Sequence, residues 1–173
     1  MSLYVIDIEA DGPIPGDYSM LSFGAVRVDD ELKTTYFSDM IYPISQKFDP
    51  SAIEAIGINR DDYVYGGRDP QVVMVEFNKW VLETSVKGRP IFLSDNNGFD
   101  WMFYCWYTWH FTNSNPFGYS SRRIGDIYCG LVKNMRAPWK HLRKTKHTHD
   151  PVQDALGNAE ALLHMINNME LKT

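Results

Sequence analysis

Cysteine is scarce: Cys105 and Cys129 are the only two in 173 residues, with 23 residues between them. No Cys-x-x-Cys pair or zinc-ribbon spacing exists, which excludes a disulfide scaffold and a thiolate metal cluster. Long apolar runs are equally scarce. The aromatic stretch from Trp101 to Phe111 falls short of the ~20 residues of a membrane span. The opening MSLYVIDIEADG turns acidic at Asp7, unlike a secretory leader. Positive charge is also in deficit: 17 Lys+Arg face 22 Asp+Glu, a net charge of −5, so any grip on a polyanion must be local. These absences predict a reduced, cytoplasmic protein with no membrane partner. Apolar residues at 44% and charged residues at 23% disfavour disorder, and the length suits one domain over 1–173.

Read along the chain, Leu3 to Ile8 is apolar and β-branched, a buried strand ended by Asp11-Gly12 and the prolines at 13 and 15. Met20 to Val28 and Thr34 to Tyr42 predict two more strands, completing a three-stranded meander. Asp49-Pro50 and Asp69-Pro70 each pair an acidic N-cap with proline at the first helical position. Arg89 to Ser94 reads as a fourth strand, followed by a helix from about Phe99; a further helix is expected over Asp126 to Asn134. The final helix opens at Asp150-Pro151, places Gln153 at a capping-box position and repeats Val152, Leu156, Ala159, Leu163 and Ile166 at helical spacing. Strands first and then helices interleaved with short strands predict an α/β or α+β sandwich, a central mixed sheet flanked by helices; of the two, α/β is the fold class expected.

Four carboxylates stand out. Asp7 and Glu9 lie two apart on the first strand, so they point to one face, and charge in an apolar strand is costly unless paired or bound to metal. A solvated edge strand explains that pair equally well. Asp100 follows the polar turn after the fourth strand, and Asp154 sits one turn inside the last helix; each alone reads as an ordinary first-turn acid. His149 precedes the Asp150 cap. Together the four acids and the histidine have the composition of a site for two hard divalent cations, with a base able to deprotonate water near neutral pH.

At these residues the chain resembles the DEDD 3′–5′ exonucleases, in the subgroup whose last motif carries histidine (DEDDh). VIDIEADGPIPGDYSMLSFGAV is similar to that family's first motif, with Asp7 and Glu9 at its metal-binding acids. NNGFDWMF is similar to the second, with Asp100 at the third acid and Asn96 at an asparagine four residues before it; HDPVQDALGNAEAL is similar to the third, with His149 at the general base and Asp154 at the fourth acid. Asp95 and Ile56 depart from the pattern, standing where relatives often carry histidine. The resemblance implies an RNase H-like fold, two Mg²⁺ ions with Mn²⁺ able to substitute, and hydrolysis of the 3′-terminal phosphodiester of single-stranded DNA or RNA to nucleoside 5′-monophosphates. It further implies that Met20 and Leu21 wedge between terminal bases and that Phe103 lines a base pocket.

From Ile127 to His149 no acid occurs, while Lys133, Arg136, Lys140, Arg143, Lys144 and Lys146 are basic. Such a strip, extended by Arg122 and Arg123, suits phosphate contacts beside the acids; the alternative is a solvated loop. The aromatic helix is expected mainly in the core, with a homodimer interface or a base-stacking surface as alternatives. Two other functions compete: a catalytically weak nucleic-acid-binding module of the same fold, and an RNase H-like endonuclease.

Overall fold

The computed structural model describes residues 2–86 and 88–172. β1 (Leu3–Ala10) outruns its apolar stretch because Glu9 and Ala10 continue to pair with β2 (Met20–Val28), which lies antiparallel with Asp7 opposite Gly24. β3 (Thr35–Phe37) is far shorter than the expected run: Asp39 takes a left-handed φ of 60°, and Ile41 rejoins only as a single bridge to Arg68. Then come α1 (Pro50–Ile56), α2 (Arg60–Gly66) and α3 (Pro70–Thr84). Asp49 and Asp69 cap α1 and α3 as expected. Helix α2, capped by Asn59, buries none of its residues and so carries no apolar stripe to reveal it in the sequence.

β4 (Ile91–Ser94) leads into α4 (Asn97–Thr112), which begins two residues ahead of Phe99. β5 (Ser121–Arg123) takes Arg122 and Arg123 into the sheet edge, and α5 (Ile124–Leu131) starts and stops earlier than expected. A 3₁₀ turn at Lys140–Leu142 precedes α6 (Pro151–Asn168). Among the described residues the strand order is β3-β2-β1-β4-β5, with β3, β2 and β1 antiparallel and β1, β4 and β5 parallel.

Alternation along β1 divides the core. Tyr4, Ile6 and Ile8 join Phe77 of α3 and Phe103 and Tyr104 of α4 on one face. Leu3 and Val5 join Ala155, Ala159 and Leu162 of α6 on the other. The same period of two sends Asp7 and Glu9 to the α6 side. Helix α6 reaches that face closely because Gly24 has no side chain: a Cβ there would lie 2.4 Å from the Pro151 carbonyl carbon and the Val152 nitrogen. The segment before α6 is drawn in the same way at Gly157, where a Cβ would lie 2.8 Å from the Thr145 carbonyl oxygen.

The aromatic helix is only partly core, with Trp101, Trp106 and Phe111 packed against the cluster from its margin. Tyr107 is buried and accepts the Met20 N–H at 2.7 Å, but Trp101, Trp106, Trp109 and Phe111 are only half-buried. Trp109 stacks on the exposed Tyr119, and with Pro15, Trp101, Cys105 and Trp106 it lines an open groove of about 640 Å³. No described helix is long and apolar enough to cross a membrane.

Candidate active site

Parallel pairing brings the C-terminal ends of β1 and β4 to the same edge, where open α/β sheets take their ligands. Asp7 and Glu9 come from β1, Asp100 from the first turn of α4 just beyond β4, and Asp154 from the first turn of α6. One carboxylate oxygen from each of Asp7, Glu9 and Asp154 lies within 4.8 Å of the other two. Asp100 is 3% exposed, and its Oδ2 is buried without a hydrogen-bond partner. The edge-strand and water-facing alternatives therefore fail: Asp154 is 1% exposed, and β1 is the central strand of the sheet.

Burial is the first cause of the electrostatic stress here. It holds Asp7 well above the usual carboxylate range, and the charges of Asp100, Glu9 and Asp154 raise it further, in that order. Glu9 is pushed up to about 8 by burial, then by Asp154 and Asp100. Asp100 is raised to about 7 by burial; Ser94 and the Ile8 backbone temper that rise without reaching its Oδ2. Crowded carboxylates with an orphaned buried oxygen are a poor arrangement alone and a fitting one for hard divalent cations.

Asp154 is fixed by its own loop. Oδ1 accepts the Thr148 N–H at 3.1 Å and Oδ2 the His149 N–H at 2.9 Å, while His147 Nδ1 lies 2.8 Å from the same Oδ2. His149, in the left-handed region at φ 60°, directs Nδ1 to within 3.8 Å of Glu9 Oε1 and stays 42% exposed at the rim. The capping box is half-formed: Asp150 accepts from the Val152 and Gln153 N–H groups, but its own N–H goes to Thr148 Oγ1 rather than to Gln153.

Several expected substrate contacts lie elsewhere. Met20, Leu21 and Phe103 have no exposed surface; apolar burial holds all three inside, so base contact at them is not met in this geometry. Asn96 is exposed at the N-cap of α4 without capping through its side chain. Arg143 is no surface cation: its side chain is 9% exposed, bonded to Asn158 Oδ1 and Asp95 Oδ2, and near enough to Asp7 to offset part of that residue's rise. Lys140 Nζ is 2.7 Å from Asp95 Oδ2. Asp95, the departure from the family pattern, therefore anchors two cations of the basic strip. Lys144 and Lys146 remain exposed. Sequence reasoning missed His147, whose signal was its place two residues before His149 in non-helical chain.

The fold and site define a class: an RNase H-like α/β protein with a cluster of acids at the sheet's C-terminal edge. The chain belongs to the DEDDh family of 3′–5′ exonucleases. It is 33% identical over 178 residues to the 3′–5′ DNA exonuclease Cap18 of Escherichia coli, covering 96% of this chain and 92% of that one. The nuclease domain of 3′hExo, described as a DEDDh family member bound to rAMP, superposes with a TM-score of 0.74 at 17% identity, covering 99% of this chain and 94% of that one. E. coli exonuclease I in complex with a dT13 oligonucleotide gives 0.70 at 17%, covering 98% of this chain and 41% of the longer one. No family model matches the chain. Family membership implies divalent metal ions, which the carboxylate set suits.

Proposed function

We propose that residues 1–173 act as one exonuclease domain that hydrolyses the 3′-terminal phosphodiester of single-stranded DNA and releases nucleoside 5′-monophosphates. The observation that carries this reading is the convergence of Asp7, Glu9 and Asp154 within 4.8 Å, with Asp100 close enough to raise two of them. DNA is favoured because the curated relative is named a DNA exonuclease and exonuclease I is complexed with a DNA oligonucleotide.

Asp7, Glu9, Asp100 and Asp154 would hold two divalent cations, Mg²⁺ or Mn²⁺. When bound, such a pair supplies charge stabilisation to the attacking and leaving oxygens of an in-line displacement. His149 takes the proton from the attacking water. Its place at the rim, on a loop fixed by Asp154, keeps the imidazole both solvent-facing and near the acids. As the water oxygen bonds to phosphorus, the bond from phosphorus to the 3′ oxygen breaks, and that oxygen takes a proton from solvent to leave a 3′-hydroxyl on the shortened strand. Lys144 and Lys146, exposed on the approach to α6, would meet backbone phosphates. A single-stranded end is the favoured substrate, since unpairing a terminal base adds a cost that a free strand avoids. Digestion of 5′-labelled single-stranded DNA and RNA of one sequence tests the reading: DNA shortened stepwise from the 3′ end supports it, and RNA alone degraded overturns the choice of sugar.

A further inference from the structure

Beside the carboxylate cluster stands a second donor set, which shares His149 and Asp154 with the exonuclease reading and adds His147, a residue that reading leaves unused. The rings of His147 and His149 meet edge to face with centroids 4.3 Å apart. One donor atom from each of His147, His149 and Asp154 lies within 4.8 Å of the other two, and His147 Nδ1 is already 2.8 Å from Asp154 Oδ2. The carboxylate is held still by the Thr148 and His149 N–H groups. The imidazoles are half-exposed.

We propose that His147, His149 and Asp154 form a site for a borderline transition-metal ion such as Zn²⁺, and that its occupancy switches off hydrolysis. Donor chemistry separates this site from its neighbour. Imidazole nitrogens suit zinc, copper and nickel, whereas the all-carboxylate cluster suits harder cations. Zinc bonds of about 2.0–2.2 Å put tetrahedral donors roughly 3.4 Å apart, longer than the 2.8 Å His147–Asp154 contact and inside the 4.8 Å that bounds all three donors, so small ring rotations complete the site. Three protein ligands leave a fourth position to water. Binding is independent of what the enzyme does. The switch rests on the proposed exonuclease reading, because zinc would occupy the His149 imidazole and draw Asp154 away from the hard cations.

The test begins with the metal-stripped full chain carrying Asp7→Asn and Glu9→Gln, which weakens the carboxylate site and leaves the histidine site whole. Co²⁺ is titrated in and followed by visible absorption, then displaced with Zn²⁺; the same is done after adding His147→Gln, with matching thermal melts confirming the fold. One Co²⁺ per chain with nitrogen-ligand bands is expected, displaced by Zn²⁺. His147→Gln should weaken binding by at least the roughly 10–100-fold that losing even an outer-shell partner costs. Equal binding with and without His147, or none in the carboxylate variant, overturns the site. In the otherwise wild-type enzyme under saturating Mg²⁺, the Zn²⁺ concentration that halves each protein's own rate should rise by a similar factor in His147→Gln. Confirmed binding with no zinc inhibition overturns the switch alone. A wild type inert with every hard cation would refute the exonuclease reading while the Co²⁺ titration still decides the site.

Discussion

Asp7 sits where burial and three neighbouring carboxylates oppose its charge. Asp7→Asn removes that opposition. In EDTA the variant should melt about 2–4 °C higher for each ~1 kcal/mol of repulsion relieved, while its nuclease activity disappears; calorimetry and a turnover assay read the two effects. A melting point lowered by the substitution would show that Asp7 is satisfied without metal. His149→Ala should slow hydrolysis by about 10²–10⁴-fold, the range for losing a general base, while Mn²⁺ affinity measured by calorimetry is kept. Loss of Mn²⁺ binding would make His149 a ligand instead. These acids were legible in the sequence because charge in an apolar strand, and acids just inside helix starts, are conspicuous by type and spacing. Their burial was not legible, since Asp154 reads as a water-facing acid until β2 and α6 are brought together.

That approach is a property of elements. Helix α6 meets β2 backbone to side at Gly24, so Gly24→Ala should force the first turn of α6 outward. The expected cost is about 1–3 kcal/mol in denaturant unfolding, as for an overpacked core, with a fall in activity larger than the remaining folded fraction explains. Activity that tracks the folded fraction would show that Asp154 does not depend on this contact. β1, β2, β4 and α6 could be read from β-branched runs and a long 3.6-residue period, and α1 and α3 from their Asp-Pro caps. Helix α2 could not, because its seven residues bury nothing. Arg143 was read as a surface cation from composition alone. Only the tertiary pairing with Asp95 and Asn158 reveals it as a buried brace between the start of α4 and α6. Met20, Leu21 and Phe103 show the converse: family position suggested base contacts, and core packing takes them instead.

Across the whole molecule the raised carboxylates set a pH signature. Glu9 is lifted to about 8, so below that pH the folded chain holds a proton that the unfolded chain releases near its ordinary value of 4.5. Stability of the metal-free protein should therefore fall as pH rises between those two values, and Glu9→Gln should flatten the decline; thermal melts across that range in EDTA check this. Mg²⁺ or Mn²⁺ should restore stability most at the alkaline end, where the ligands are already ionised. A metal-free melting point that climbs through the same window would mean that the acids are not crowded in solution. The central claim is that four acids and a histidine at one sheet edge make a 3′–5′ exonuclease. A gel time course tests it most directly, using 5′-labelled single-stranded DNA with Mg²⁺, Mn²⁺ or EDTA beside a circular single strand, for wild type and Asp154→Asn. The account predicts a ladder shrinking from the 3′ end only with wild type and metal, and an untouched circle. A cut circle, or a ladder undiminished in Asp154→Asn, would contradict it.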